Sequence, residues 1–144
     1  MFTHDRDKLR QVFFDTWRKM KNKEIMIPLE EKISRIIELH PEYHAFLDQP
    51  ENRARDFLPE MGETNPFLHL SLHISIEEQL SVDRPVGIRT AFKNVLQAIK
   101  DPHEATHACM ECLAETMWSA QRENRQPDDD DYLKCLAERA RRKN

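Results

Sequence analysis

Glycine is almost missing from this chain: Gly62 and Gly87 are the only two in 144 residues. Phosphate-cradling loops of the dinucleotide or nucleoside-triphosphate kind need several closely spaced glycines, because the backbone must approach the phosphates, so both are excluded. Long apolar runs are also missing; none approaches the roughly 18 residues that span a bilayer. No stretch alternates apolar and polar residues long enough to make a convincing strand. Basic charge is not in excess, with 22 basic against 26 acidic residues and a net charge of −4 when histidine is neutral. Nucleic acid is therefore not an expected partner, since coating phosphates needs a basic surface. Cysteine is scarce. Cys109, Cys112 and Cys135 cannot all pair, and reduced thiols in a cytoplasm are the simplest expectation. Residues Met1 to Lys8 are polar and charged, unlike a signal peptide. These absences predict an all-α, cytoplasmic, single-domain helical bundle of about five to seven helices, with no sheet and no membrane partner.

Charged residues make up 33% of the chain and hydrophobic ones 39%, yet the apolar residues recur at helical spacing, which argues for a packed fold. Prolines mark the helix starts, where a missing N–H costs nothing and the fixed φ is already helical. Asp101-Pro102-His103-Glu104 reads as cap, first helical residue and capping-box acid, and Asn65-Pro66 repeats the arrangement. The spacing predicts a helix over 5–23 with Leu9, Val12, Phe13, Trp17 and Met20 on its apolar face. A second over 28–40 is buried through Leu29, Ile33, Ile36 and Ile37. Past Pro41 a short helix carries Tyr43, His44, Phe46 and Leu47. Residues 48–64, with Pro50, Pro59 and Gly62 among charges, read as a surface loop. Further helices are expected over 66–81, over 87–100 (Ile88, Phe92, Val95, Leu96, Ile99) and over 102–123. A C-terminal helix follows in 124–144. Neither repeats nor a second compositional block divide residues 1–144, so one bundle is the economical architecture.

Six of the seven histidines fall into His-x-x-x-His pairs: His40/His44, His69/His73 and His103/His107. Two pairs continue at the same spacing to an acid, as His69-x-x-x-His73-x-x-x-Glu77 and His103-x-x-x-His107-x-x-x-Glu111. Residues four apart share a helix face, so each triplet forms one slowly drifting line. On the 66–81 helix Ser71, Ser75, Glu78 and Gln79 gather on one side, and His69, His73 and Glu77 lie within the apolar arc opposite. On the 102–123 helix His103 and His107 fall inside the arc of Met110, Leu113, Met117 and Trp118, with Glu111 at its margin. His40 and His44 would join the Ile33/Ile37 stripe if that helix ran on through Pro41.

Buried imidazoles and carboxylates are costly unless paired or metal-bound. Helical bundles place metal ligands in this manner, from inward faces of several helices. The expected site is a divalent transition metal, mono- or dinuclear, in a donor set that suits iron, manganese or zinc, and nickel as well. Its expected ligands are His44, His69, His73, Glu77, His103, His107 and Glu111, with His40 or Glu78 orienting them. An enzyme built on it would be a metal-dependent oxidoreductase, or a hydrolase or transferase using Glu77 or Glu111 as base. The rival reading is a non-enzymatic interaction protein whose histidines and acids form a buried hydrogen-bond network. A homodimer fits either.

Several stretches resemble the signatures of one family. They are His40-Pro41-Glu42-Tyr43-His44, Gly62-Glu63-Thr64-Asn65-Pro66-Phe67-Leu68-His69-Leu70-Ser71-Leu72-His73, Glu77-Glu78-Gln79-Leu80-Ser81, Met110-Glu111-Cys112-Leu113 and Trp118-Ser119-Ala120-Gln121-Arg122. The chain is similar over nearly its whole length to the bacterial family catalogued as domain of unknown function 1841. That resemblance implies a small cytoplasmic protein of proteobacterial type and carries no activity with it. Hemerythrin-like, ferritin-like and DinB-like metal bundles use His and Glu at comparable spacings, but this chain reproduces the full ligand order of none. Di-iron carboxylate proteins, for instance, use Glu-x-x-His twice.

Three further signals have plainer readings. Cys109-x-x-Cys112 lies in mid-helix without the strand–helix context of a redox motif. The acids Asp128–Asp131 answer the dipole of a helix N-terminus, as Arg139, Arg141, Arg142 and Lys143 do at its other end. Trp17 and Trp118 sit at core spacing and read as packing residues.

Overall fold

A computed structural model describes residues 2–57 and 65–141, with side chains described from Asp7 onward. Among the described residues the chain is all-α. Those residues form seven α-helices, α1 (Phe2–Asn22), α2 (Pro28–Glu38), α3 (His44–Leu47), α4 (Pro66–Val82), α5 (Ile88–Ile99), α6 (Pro102–Arg122) and α7 (Asp129–Arg141). Tight 3-10 turns occupy Pro41–Tyr43 and Pro50–Ala54. None of these helices is long and apolar enough to cross a membrane. The chain divides into two compact units, Met1–Ile74 and Ser75–Asn144.

The first unit is built on the α1–α2 hairpin. Lys23 takes a left-handed φ of 57° at the end of α1, and the Glu24 N–H reaches back to the Lys19 carbonyl at 2.9 Å, closing off orphan carbonyls of the last turn. Pro28 starts α2 as its spacing predicts. Ile27 at the cap has no side-chain acceptor, so capping is one-sided: its N–H donates to Glu30 Oε1 at 3.0 Å. Glu30 is itself buried and accepts the Lys19 ammonium on both oxygens, at 3.0 and 2.9 Å. That pairing, then the Ile27 N–H, holds its carboxyl below the usual glutamate range. Leu29, expected inside, is 43% exposed; Glu30 takes the inner position because Lys19 neutralises it. Leu9 is likewise exposed at the rim.

The core of this unit is Phe13, Phe14, Ile33, Ile36, Ile37, Leu47, Phe67 and Leu70. Phe67 sits at its aromatic centre, with ring centroids 5.3 Å from Phe46, 6.0 Å from Phe14, 6.2 Å from Phe57 and 6.3 Å from Phe13. Residues 50–57 are less loose than a polar loop reads. The buried Arg10 guanidinium donates to the backbone carbonyls of Arg53 (2.9 Å) and Arg55 (3.0 Å) and lies 4.2 Å from the Phe67 ring centroid. Residues 58–64 of the expected surface loop, including Gly62, lie outside the described residues. Asn65 caps α4, accepting from the N–H groups of Phe67 and Leu68 at 3.0 and 3.2 Å.

The second unit holds the C-terminal part of α4 with α5, α6 and α7. Asp83 accepts the Arg89 N–H at 3.0 Å, while the Arg89 side chain donates to the Leu80 and Ser81 carbonyls at 2.7 Å each, so the α4–α5 turn closes on itself. Gly87 has φ of 98°, a conformation that side chains other than glycine's resist. Asp101 caps α6 through the His103 N–H at 3.0 Å, with Pro102 at the first helical position, as expected. Ile76, Ile88, Val95, Ala105, Ala108, Cys109, Met110, Tyr132 and Leu136 are buried. The buried Tyr132 hydroxyl donates to Gln79 Oε1 at 2.7 Å, and burial raises its pKa well above the ordinary phenol value.

Two expectations fail here. Cys112 and Cys135 form a disulfide, with Cα atoms 5.7 Å apart; α6 and α7 bring together cysteines that 23 residues of sequence separate. The argument for a cytoplasmic location from reduced thiols is thereby lost. Cys109 alone is free and buried. Trp118 is 59% exposed, not packed inside, and the Arg122 guanidinium lies 4.4 Å from its ring centroid. The apolar arc of α6 is therefore covered at Met110 and open at Met117 and Trp118.

Candidate metal centre

The first unit gathers three histidines around the end of α2. The helix stops at Glu38, and the backbone N–H of His40 bonds the Ile37 carbonyl at 3.0 Å. The turn forced by Pro41 then gives His40 and His44 separate environments. His40 is wholly buried, and its Nδ1 lies 2.8 Å from the Ile36 carbonyl oxygen. A carbonyl only accepts, so Nδ1 carries the proton and Nε2 presents its lone pair. That Nε2 lies 3.0 Å from His69 Nε2. His73, one turn further along α4 and buried, stands edge-on to the His40 ring with centroids 5.2 Å apart.

Tyr43 closes the group. Its ring stacks on His40 (5.6 Å, 12° between planes) and meets His69 edge-on at 5.7 Å. Burial, then the charge of Glu42, raises its phenol above the ordinary value. His44 points elsewhere: it stacks on Trp17 at 4.4 Å, and its Nε2 lies 3.0 Å from the Ile37 carbonyl. Of the pair His40/His44, the structure thus brings to the α4 histidines the member that helical phasing expected in a supporting role. Helical phasing could not show this, because the helix ends before His40.

In the second unit, His103 and His107 are half-buried on α6 with ring centroids 4.1 Å apart. Glu104 Oε1 lies 3.8 Å from His107 Nδ1. Glu77 is half-buried on α4 and Glu78 exposed. Glu111 is largely exposed and forms an ion pair with Arg139 of α7. A single-helix wheel places Glu111 at the arc's margin but cannot show the arginine that α7 supplies. Tyr43 is the residue that the spacing argument missed, although His40-Pro41-Glu42-Tyr43-His44 already framed it.

The arrangement in the first unit is an oriented imidazole pair, His40 buried and His69 half-buried, with one His40 nitrogen fixed as a lone-pair donor. In sequence, the pattern of the family described as Domain of unknown function (DUF1841) matches residues 5–138, and the chain belongs to that family. Comparison with curated proteins and with solved structures gives no significant match.

Proposed function

We propose that this protein binds a divalent transition metal through histidine, with His40 and His69 as the principal ligands and His73 beside them. The observation that supports it is the Nε2–Nε2 separation of 3.0 Å, together with the bond from His40 Nδ1 to the Ile36 carbonyl. An N–H held by a backbone carbonyl is the usual support of a metal-bound imidazole, since it fixes the tautomer and raises the basicity of the other nitrogen. Two metal–nitrogen bonds of about 2.1 Å span 3.0 Å at about 90°, and a spread of a few tenths of an ångström reaches tetrahedral geometry. Iron, manganese, zinc and nickel all fit those limits. Within the second unit, His103, His107 and Glu77 are proposed as ligands on their spacing alone, whereas His44 and Glu111 have other partners.

The same 3.0 Å also fits an N–H···N hydrogen bond, which favours the rival reading of a histidine network in an interaction protein. Elemental mass spectrometry on tag-free protein separates the two. The metal reading expects a stoichiometric quantity of one metal, lost in His69→Ala, and a melting temperature that rises on metal addition and falls with chelator. No metal after reconstitution with iron, manganese, zinc and nickel, and stability indifferent to chelator, would overturn it in favour of the network. Circular dichroism on His69→Ala establishes that the variant is folded.

A further inference from the structure

We propose that the Cys112–Cys135 disulfide is a thiol–disulfide exchange site, entered at Cys135, for small thiols that carry little negative charge. Three observations in the second unit converge on it. First, the two sulfurs differ in access: Cys112 is wholly buried on α6, whereas Cys135 is half-buried on α7. Exchange requires the incoming sulfur to approach along the S–S axis, and only the Cys135 end is open to it. Second, the remaining thiol is out of play. Cys109 is wholly buried one turn before Cys112, and burial pushes its thiol up to about 12, so it supplies no thiolate to the folded protein. The nucleophile must come from outside.

Third, the approach is lined by charge. Glu115 Oε2 lies 3.5 Å from Cys135 Sγ. The Glu111 and Glu115 carboxylates, both largely exposed, share the Arg139 guanidinium, so these three side chains together carry one net negative charge. An unshielded unit charge about 4 Å away changes the rate in water by about fivefold. A zwitterionic thiolate such as that of cysteamine is tolerated there, and the doubly negative glutathione thiolate is disfavoured.

The step balances without any group from the protein beyond the disulfide. The external thiolate attacks Cys135 Sγ; the S–S bond breaks, and its electron pair leaves on Cys112 Sγ, which takes a proton. A second thiolate attacks the mixed disulfide and releases Cys135 as thiolate, with the two external thiols oxidised to their own disulfide. Helix α7 keeps its place through this cycle because Tyr132 and Leu136 are buried, and Tyr132 bonds Gln79.

The test uses the full chain with cysteamine, 2-mercaptoethanol and glutathione at equal thiolate concentration, followed by acid quench and peptide mass mapping. The expected result is a mixed disulfide on Cys135, formed fastest with cysteamine and slowest with glutathione, and a narrower spread in Glu115→Gln. In Cys112→Ser the adduct accumulates on Cys135 with the matching small disulfides, since no second sulfur displaces it. Wild-type mapping does not depend on that variant folding. An adduct on Cys112, or reduction only after denaturant exposes the pair, would overturn the assignment of entry. Glutathione reacting fastest would overturn the charge selection. Three free thiols that small disulfides fail to oxidise would overturn the site altogether.

Discussion

Opening the link between α6 and α7 removes a constraint whose size can be worked out. Cys112 and Cys135 are 23 residues apart, and closing a loop of that length in the unfolded chain corresponds to about 3 kcal/mol at 25 °C in the chain-entropy treatment. The native side of the equilibrium changes little, because α7 also holds through Tyr132, Leu136 and the Arg139 ion pairs. Cys135→Ala, or reduction of the wild type with a phosphine, is therefore expected to lower the unfolding free energy by about 3 kcal/mol. That is a fall in melting temperature of roughly 10 °C for a chain of this size. Urea titration with and without reductant, followed by circular dichroism, measures it. Reductant should leave Cys135→Ala unchanged, since its effect is already made. Equal midpoints for oxidised and reduced wild type would refute the reasoning. It would mean that the link does not restrict the unfolded chain, or that its native geometry costs as much as closure contributes.

Two other predictions concern the first unit. Glu30→Gln removes the charge that Lys19 and the Ile27 N–H bind and should cost about 2 kcal/mol near neutral pH, the range for a hydrogen bond to a charged group. Because the folded carboxyl titrates below its ordinary range, its contribution is present above that range and is lost as pH falls through the lowered value. The acid side of a stability–pH curve should therefore flatten in the variant; an unchanged curve would show that the pair is solvated. Phe67→Ala empties the centre of the aromatic group and should cost about 3–5 kcal/mol in urea unfolding. A loss under about 1 kcal/mol would mean that the neighbouring rings close the gap.

The helices were legible because their signals are local. Asp101-Pro102 and Asn65-Pro66 mark starts that the caps on α6 and α4 bear out, and Ile33, Ile36 and Ile37 at helical spacing do go inside. What failed were statements about neighbours. A wheel gives the direction of Leu29, Trp118 and Glu111 but not what covers them. Glu30 displaced Leu29 because Lys19, on another helix, neutralises it, and Glu111 met an arginine from α7. The pairing of Cys112 with Cys135 depends on how α6 meets α7, and no spacing rule encodes it. The histidines fall between these cases: spacing put His69 and His73 on one continuous helix, and both lie on α4. His40 and His44 have different neighbours from those that phasing expected, because Pro41 follows a helix that has already ended.

The hold of Arg10 on residues 50–57 has a consequence for proteolysis. Trypsin cleaves after arginine and must draw that residue's carbonyl oxygen into its oxyanion hole. The two carbonyls that Arg10 engages belong to Arg53 and Arg55. Both scissile bonds, in a segment whose polarity invites digestion, thus have their reacting oxygens already occupied by a buried guanidinium. Cleavage there requires α1 to release its grip first, so the rate of nicking after Arg53 and Arg55 becomes a clock for the opening of the first unit.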